Sequence, residues 1–355
     1  MNLHFWKNKK VFITGHTGFK GSWLSLWLQN LGAITCGYAL EPNTDPNLFT
    51  LAKVAQGMEN HIADVRDEKK LADCMSRFQP DIVFHLAAQP LVRYSYEVPV
   101  ETYSTNVMGT VNVLEAAKKV DSVKVVLNVT TDKCYENKEW IWAYRENDRL
   151  GGHDPYSNSK ACSELVTNSY RNSFYQKIGK GLASVRAGNV IGGGDWSTDR
   201  LIADIMKSII NHQPVIIRNP AAIRPWQHVL EPLSGYLLLA EKLFSDPIQY
   251  SDAWNFGPLA HAAVDVEIIV KKLFKLWPSA QAGYKIVPDL NAVHEAHFLK
   301  LDITKAVTQL NWHPKLDLDT TIQWIINWYQ AWMNQEDLHE FTLQQIKHYQ
   351  LIGAK

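Results

Sequence analysis

No charge of one sign predominates in this chain: 36 lysines and arginines stand against 36 aspartates and glutamates. A polyanion-binding surface needs a surplus of cations, so nucleic acid is not expected as a partner. A small anionic ligand is compatible, because a few arginines suffice for it. Long apolar runs are missing too. No stretch reaches the roughly 18 apolar residues that would span a bilayer, so no membrane partner is expected. Met1–Lys10 is short, basic and mixed, without the apolar centre of a secretion signal, and the expected location is cytoplasmic. Cysteine is scarce: Cys36, Cys74, Cys134 and Cys162, with no CxxC pair. In a chain of 355 residues this argues against a disulfide framework, and inert, buried thiols are expected. The 13 histidines show no HxxxH spacing, so no metal site is expected.

Hydrophobic residues, at 46%, are enough for more than one core, and a nucleotide-binding domain with a smaller satellite is expected. Tryptophan is plentiful. Trp254, Trp277, Trp312, Trp324, Trp328 and Trp332 crowd the C-terminal third of the chain and are expected in the core.

The first half alternates strand and helix signals. Val11–Thr14, Ile34–Leu40, Ile82–His85, Val123–Val129 and Gly181–Arg186 read as strands. Gly21–Leu31, Leu71–Phe78, Asn106–Lys118 and Tyr156–Phe174 carry helical spacing between them. This rhythm predicts an α/β fold, a Rossmann-type doubly wound parallel sheet covered on both faces, with its ligand beyond the carboxyl ends of the strands. After Gly188 the rhythm breaks into glycine- and proline-containing segments. Residues 1–188, with returns near 229–258, are expected to form the dinucleotide domain. Residues 189–228 and 259–355 are expected to form a smaller mixed α/β substrate domain. Helices are expected over Pro232–Phe244 and Thr320–Trp332, and a strand over Ala253–Gly257.

Gly15-His16-Thr17-Gly18-Phe19-Lys20-Gly21 joins the first strand to the first helix. GxxGxxG alone is a weak signal. In a strand–turn–helix near the N-terminus it predicts a dinucleotide site. Glycines let the backbone approach a pyrophosphate, and the helix start offers free N–H groups to it. An acid ending the second strand would favour NAD by bonding the ribose 2′-hydroxyl. That position falls near Ala39, and Glu41 comes about two residues late. No arginine follows to hold a 2′-phosphate, and Lys20 is free to face such a phosphate or solvent. NAD is expected, and the residues alone leave NADP open. Asp64 sits where it could meet the adenine amino group, or simply cap a loop.

Tyr156 and Lys160 form YxxxK, which places both on one helix face. A phenol is a poor base at neutral pH. A nearby ammonium favours the phenolate, which can then take a hydroxyl proton while hydride leaves the carbon.

The chain resembles the extended short-chain dehydrogenase/reductases over nearly its whole length. The resemblance rests on the glycine loop, His85-Leu86-Ala87-Ala88-Gln89, Asn106-Val107-Met108-Gly109-Thr110, the Tyr156–Lys160 pair and Arg186-Ala187-Gly188-Asn189-Val190. Within that family it is most similar to nucleotide-sugar 4,6-dehydratases, in particular those of the CDP-glucose type. The carriers are Gly18–Leu24, Thr130-Thr131-Asp132-Lys133-Cys134-Tyr135 and Gly188–Trp196.

The resemblance implies that Gly15, Thr17, Gly18, Phe19, Lys20, Gly21, Asp64, Val65, Leu86, Ala87, Ala88, Gln89, Asn106, Thr130, Tyr156 and Lys160 meet the dinucleotide. It implies a CDP-glucose-type nucleotide sugar as substrate. Tyr156, helped by Lys160 and Thr131, would remove the C4-hydroxyl proton, and Asp132 would protonate the departing C6 hydroxyl. Many relatives carry glutamate where this chain has Lys133. That lysine is expected as a neutral C5 base, as a group stabilising the enolate, or merely as the partner of a carboxylate. Gln89, Arg93, Asn189, Arg200, Arg224 and His297 would hold the substrate. A homodimer through two helices is implied, with a tetramer left open. Epimerase, decarboxylase, a dTDP- or GDP-hexose dehydratase and a non-catalytic dinucleotide sensor remain the competing readings.

Overall fold

The computed structural model describes residues 2–259, 263–277, 283–287 and 298–353. Seven strands form the central sheet. They are β1 (Lys10–Thr14), β2 (Ile34–Ala39), β3 (Met58–Ile62), β4 (Ile82–His85), β5 (Val125–Val129), β6 (Gly181–Arg186) and β7 (Ala253–Asn255). Their order is β7-β6-β5-β4-β1-β2-β3, and every pairing is parallel. The order reverses between β1 and β4, which opens a crevice beyond their carboxyl ends.

Alternation along the strands explains why both faces are covered. Val11, Ile13, Ile82, Phe84, Val125, Leu127, Ala183 and Val185 enter one apolar cluster, while Phe12, Val83, Val126 and Leu182 enter another. On the second face pack α1 (Glu68–Phe78) and α2 (Gly109–Lys119), whose buried residues recur at three- and four-residue spacing. The first cluster takes in Trp254, Trp277, Trp312, Trp324 and Trp328, all buried. The expected packing role of these tryptophans holds. Trp140 and Trp142 are exposed instead.

The helix expected from Asn106 begins earlier. A helix over Pro99–Tyr103 runs through a π-type turn at Ser104–Met108 into α2. A similar turn at Arg171–Tyr175 ends α3 (Pro155–Tyr170). Beyond Gly188, three short strand pairs build the other wall of the crevice: Val190–Ile191 with Gln227–His228, Val215–Ile217 with Tyr284–Ile286, and Ile223–Pro225 with Ala263–Asp265. Among the helices there that were not expected are Leu201–Ile210, Val266–Leu276, Thr304–Leu310 and Leu338–Leu351.

All four thiols are free; Cys36, Cys74 and Cys134 are buried, as expected, and Cys162 is half-buried. Cys36 and Cys74 face one another, and a hydrogen bond between them pulls the Cys74 thiol down while pushing the Cys36 thiol up. Cys134 behaves as an inert core thiol, raised by burial. Among the described residues no helix is long and apolar enough to cross a membrane.

Candidate active site

One cleft of about 1340 Å³ runs over the carboxyl ends of β1, β2, β4 and β5. Its first end is made by backbone. Gly15 turns with φ of +76°, and a Cβ there would lie 2.6 Å from the Ala87 nitrogen. A Cβ on Gly21 would lie 2.1 Å from the Gly15 carbonyl oxygen. The loop is therefore closed against the end of β4 in a way only glycine permits. Thr17 fixes the loop by donating to the Leu40 carbonyl at 2.8 Å. Gly18 stands at the start of the helix Phe19–Asn30, with no side-chain cap and no acid in the first turn. Bare N–H groups at the mouth of a cleft are what a pyrophosphate requires.

Ala39, Leu40, Glu41, Pro42 and Asn43 line the cleft where β2 ends, and they include no cation. This suits a ribose hydroxyl better than a 2′-phosphate. Asp64 and Val65 line the same end. Burial raises the Asp64 carboxyl, but its bonds to Arg66 outweigh this and hold it below the usual range. Both of its oxygens are therefore already engaged by Arg66. Leu86, Ala87 and Ala88 complete the wall. The arrangement fits a dinucleotide.

The other end of the cleft is made by side chains. Thr131, Asp132, Lys133, Tyr156 and Lys160 all line it. They are brought together because β5 ends at Val129 beside the first turns of α3, where Asp154 caps the helix through the Ser157 N–H. Lys160 is buried and donates to the Val129 carbonyl at 3.1 Å. Burial pushes its ammonium down to about 8, against the pull of Glu164. Burial likewise pushes the Tyr156 phenol up to about 12. The cation that draws it back is Arg200, followed by a hydrogen bond with Thr131. Lys160, expected to supply such a charge, directs its ammonium at the Val129 carbonyl in this structure. Thr131 donates to Asp132 Oδ1 at 3.0 Å. Room for the Asp132 carboxylate comes from Gly188, where a Cβ would lie 2.0 Å from Oδ2.

Lys20 belongs to this end. Burial and the charges of Arg200 and Lys160 push it down to about 8, against the pull of Asp132. It lines the cleft and is half-buried.

A buried brace underlies both strands' ends. Glu164, one turn beyond Lys160, accepts from Thr130 Oγ1 at 2.5 Å, Ser184 Oγ at 2.6 Å and Arg186 Nη2 at 2.8 Å. Arg186 Nη1 donates onward to Tyr135 at 2.7 Å. Glu164 and Arg186 are 3% and 2% exposed, so the pair is stable only because every oxygen and N–H used is partnered.

Arg93, Asn189, Arg200 and Arg224 reach the cleft, as does Thr130. Two expected residues do not. Gln89 turns into the protein, where its amide bonds the Leu91 carbonyl and Thr102. Asn106, placed by the π-type turn, clamps the Gln89 backbone and bonds Ser159. In this structure both bond the protein wall and neither lines the cleft. His297 lies outside the described residues. Arg218, Asp195 and Trp226 line the cleft and were not foreseen. Arg218 pairs with Asp199 at 3.0 Å. The signal for it was its place between Ile217 and Asn219, at the end of a short strand in the proline-rich stretch.

A parallel sheet, a glycine cradle and a Tyr–Lys helix in one cleft define a dinucleotide-dependent enzyme of the short-chain dehydrogenase/reductase class. The family profile described as GDP-mannose 4,6 dehydratase matches residues 12–325, and the chain belongs to that family. It is 55% identical over 354 residues, 98% of each chain, to a CDP-glucose 4,6-dehydratase of Salmonella typhimurium (strain LT2). A probable dTDP-glucose 4,6-dehydratase of Sinorhizobium fredii is 25% identical over 90% of this chain and 92% of its own. Among solved structures, a UDP-glucose 4-epimerase from Thermotoga maritima superposes with a TM-score of 0.79 at 20% identity, covering 91% of this chain and 99% of that one. A dTDP-glucose 4,6-dehydratase from Bacillus anthracis, in complex with NAD, gives 0.76 at 19% identity over 92% and 98%.

Proposed function

We propose that the protein converts CDP-glucose to CDP-4-keto-6-deoxyglucose and water, with NAD held in the cleft and returned unchanged. The observation that carries this is the convergence of Thr131, Asp132 and Lys133 with Tyr156 and Lys160. The 55% identical relative, named for CDP-glucose dehydration, gives the substrate. A 4-epimerase needs no acid for a departing C6 hydroxyl, so a buried carboxylate beside the phenol favours the dehydratase. Residues 1–188 and 229–258 hold the dinucleotide in this reading, and the rest takes the nucleotide sugar.

A bound NAD, held by the Gly15–Gly21 loop, would supply a hydride acceptor and donor for the sugar carbons. The protein's own groups move the protons. Tyr156 takes the C4-hydroxyl proton, and the hydrogen bond with Thr131 holds the phenol and the sugar oxygen in line. The resulting ketone acidifies C5–H. Lys133 removes that proton or stabilises the enolate that forms. Asp132 protonates the C6 hydroxyl, which leaves as water. Arg200, Arg224 and Asn189 hold the diphosphate, for which the guanidinium fork is suited. At the dinucleotide end, Gly15, Gly18 and Gly21 admit the pyrophosphate.

Assembly is a second part of the proposal. Val100 and Met108 on the segment leading into α2 are 82% and 52% exposed, and Leu165 and Phe174 on or beyond α3 are 57% and 40% exposed. Two copies packed through these helices would bury them in a homodimer. Deoxysugar formation in the cytoplasm is the setting this reading supports.

The test is an assay of CDP-, dTDP-, GDP- and UDP-hexoses for a 4-keto product, read by its alkaline absorbance. CDP-glucose is expected to react fastest. A C4-epimeric product from any of them, without the keto signal, overturns the dehydratase reading. Light scattering in solution is expected to give twice the mass of one chain.

A further inference from the structure

Away from the cleft, at the β3 edge of the sheet, three metal-binding side chains converge. The sulfurs of Cys36 and Cys74 and a ring nitrogen of His61 all lie within 4.8 Å of one another. Topology puts them there. Cys36 pairs with Glu59 and Tyr38 with His61 across β2 and β3, so these four side chains share one face. The helix α1 follows β3 and packs back on that face through Leu71, Cys74, Met75 and Phe78. Cys36 and Cys74 are buried, and His61 stands between them and solvent. Glu59 Oε1 lies 2.6 Å from His61 Nε2, which orients the ring from outside. Carboxylate-oriented imidazoles of this kind are typical behind metal ligands.

We propose that Cys36, His61 and Cys74 bind one thiophilic divalent cation, zinc or a close analogue, with a fourth position open to water. Two thiolates and an imidazole match zinc and not calcium or magnesium, which take oxygen donors. Tetrahedral ligands at zinc–sulfur distances of about 2.3 Å sit about 3.8 Å apart, so the cluster has to close by only about 1 Å. Binding forms two metal–sulfur bonds and one metal–nitrogen bond, and releases the thiol protons to solvent. The two thiolates balance the cation's charge, and Arg77 beside Cys74 favours the thiolate form of that ligand. The bound ion would join β2, β3 and α1. Three residues beyond His61, the chain reaches Asp64 on the rim of the cleft. Loading the site would therefore stiffen that rim without touching the catalytic groups.

The experiment is a cobalt titration of the full-length, reduced, chelator-treated protein under nitrogen. One Co²⁺ per chain is expected, with a thiolate-to-cobalt charge-transfer band and the visible bands of a tetrahedral site. Cys36→Ser and Cys74→Ser should each abolish the charge-transfer band or halve it, Glu59→Gln should weaken binding about 10-fold, and Cys162→Ser should leave it unchanged. Zn²⁺ should displace the cobalt and raise the thermal midpoint of the wild-type protein. Should the serine variants fail to fold, thiol counting on the wild type replaces them: Zn²⁺ should shield two thiols, and a chelator should release them. Absence of the cobalt bands, a charge-transfer band of undiminished intensity in Cys36→Ser, or a mass lower by two hydrogens in protein purified under reducing conditions, which marks a disulfide instead, overturns the proposal.

Discussion

The two ends of the cleft are built from different materials. The dinucleotide end is backbone: Gly15 and Gly21 pressed against neighbouring main chain, and an uncapped helix start. The end proposed for the sugar is side chain: a phenol, a carboxylate and several cations gathered from distant parts of the sequence. Backbone sites depend on the absence of atoms, so they break when a Cβ is added. Side-chain sites depend on charges held out of water, so they break when a partner is removed or the pH moves.

The largest effect is expected at the sugar end. Tyr156→Phe should lower kcat by about 10²- to 10⁴-fold while leaving dinucleotide affinity within about threefold. Equilibrium dialysis beside the keto-product assay separates the two quantities. A variant that kept most of its rate would remove Tyr156 from the proton path.

Next comes the brace beneath it. Glu164→Ala leaves Arg186 buried without its partner and should destabilise the fold by about 3–5 kcal/mol, read from denaturant unfolding. A cost below about 1 kcal/mol would mean that water reaches the pair.

Lys160 gives a smaller, pH-dependent effect with a definite sign. Its folded pKa, about 8, lies below the unfolded value near 10.4. Between these values the unfolded chain binds the extra proton, so stability contributed at this position rises with pH. The charged form is disfavoured in the fold at pH 7, and the penalty fades above pH 8. Wild-type stability minus that of Lys160→Met should climb by on the order of 2–3 kcal/mol from pH 7 to pH 10. A flat or falling difference would place the ammonium in water.

The smallest effects compare two glycines of one loop. Gly15→Ala forces a side chain into positive φ and against Ala87, and should cost at least about 1–2 kcal/mol. At Gly18 the nearest atom to an added Cβ is 3.4 Å away, so Gly18→Ala should change stability by less than about 0.5 kcal/mol. It should still weaken dinucleotide binding, because Gly18 lines the cleft at the helix start. Paired thermal unfolding, with and without NAD, reads both.

Legibility in the sequence followed the same division. The strand–helix alternation, the glycine loop and YxxxK were readable because each is local. The helix Leu201–Ile210 carried a readable stripe, Ile202, Ile205, Met206 and Ile209, hidden only by the irregular segments around it. The helix Leu338–Leu351 was less readable, because its buried face includes Thr342 and Gln345, which bond Trp328 and the Trp324 carbonyl. The positions of Gln89 and Asn106, bonded into the wall and not lining the cleft, were not readable for a related reason. A polar side chain near a site has two possible partners, ligand and backbone, and spacing does not say which it takes.

By itself the sequence determined the parallel α/β sheet, the dinucleotide loop and the tyrosine–lysine helix, because hydrophobic period, glycine and helical spacing act over a few residues. Only the tertiary structure decided which charges meet. It turned Lys160 to a carbonyl, brought Arg200 into the cleft with the phenol, and set Glu164 against Arg186. It also joined Cys36, His61 and Cys74 across two strands and a helix. Electrostatic energy depends on distance and burial, and for residues far apart in sequence both are set only when the sheet closes.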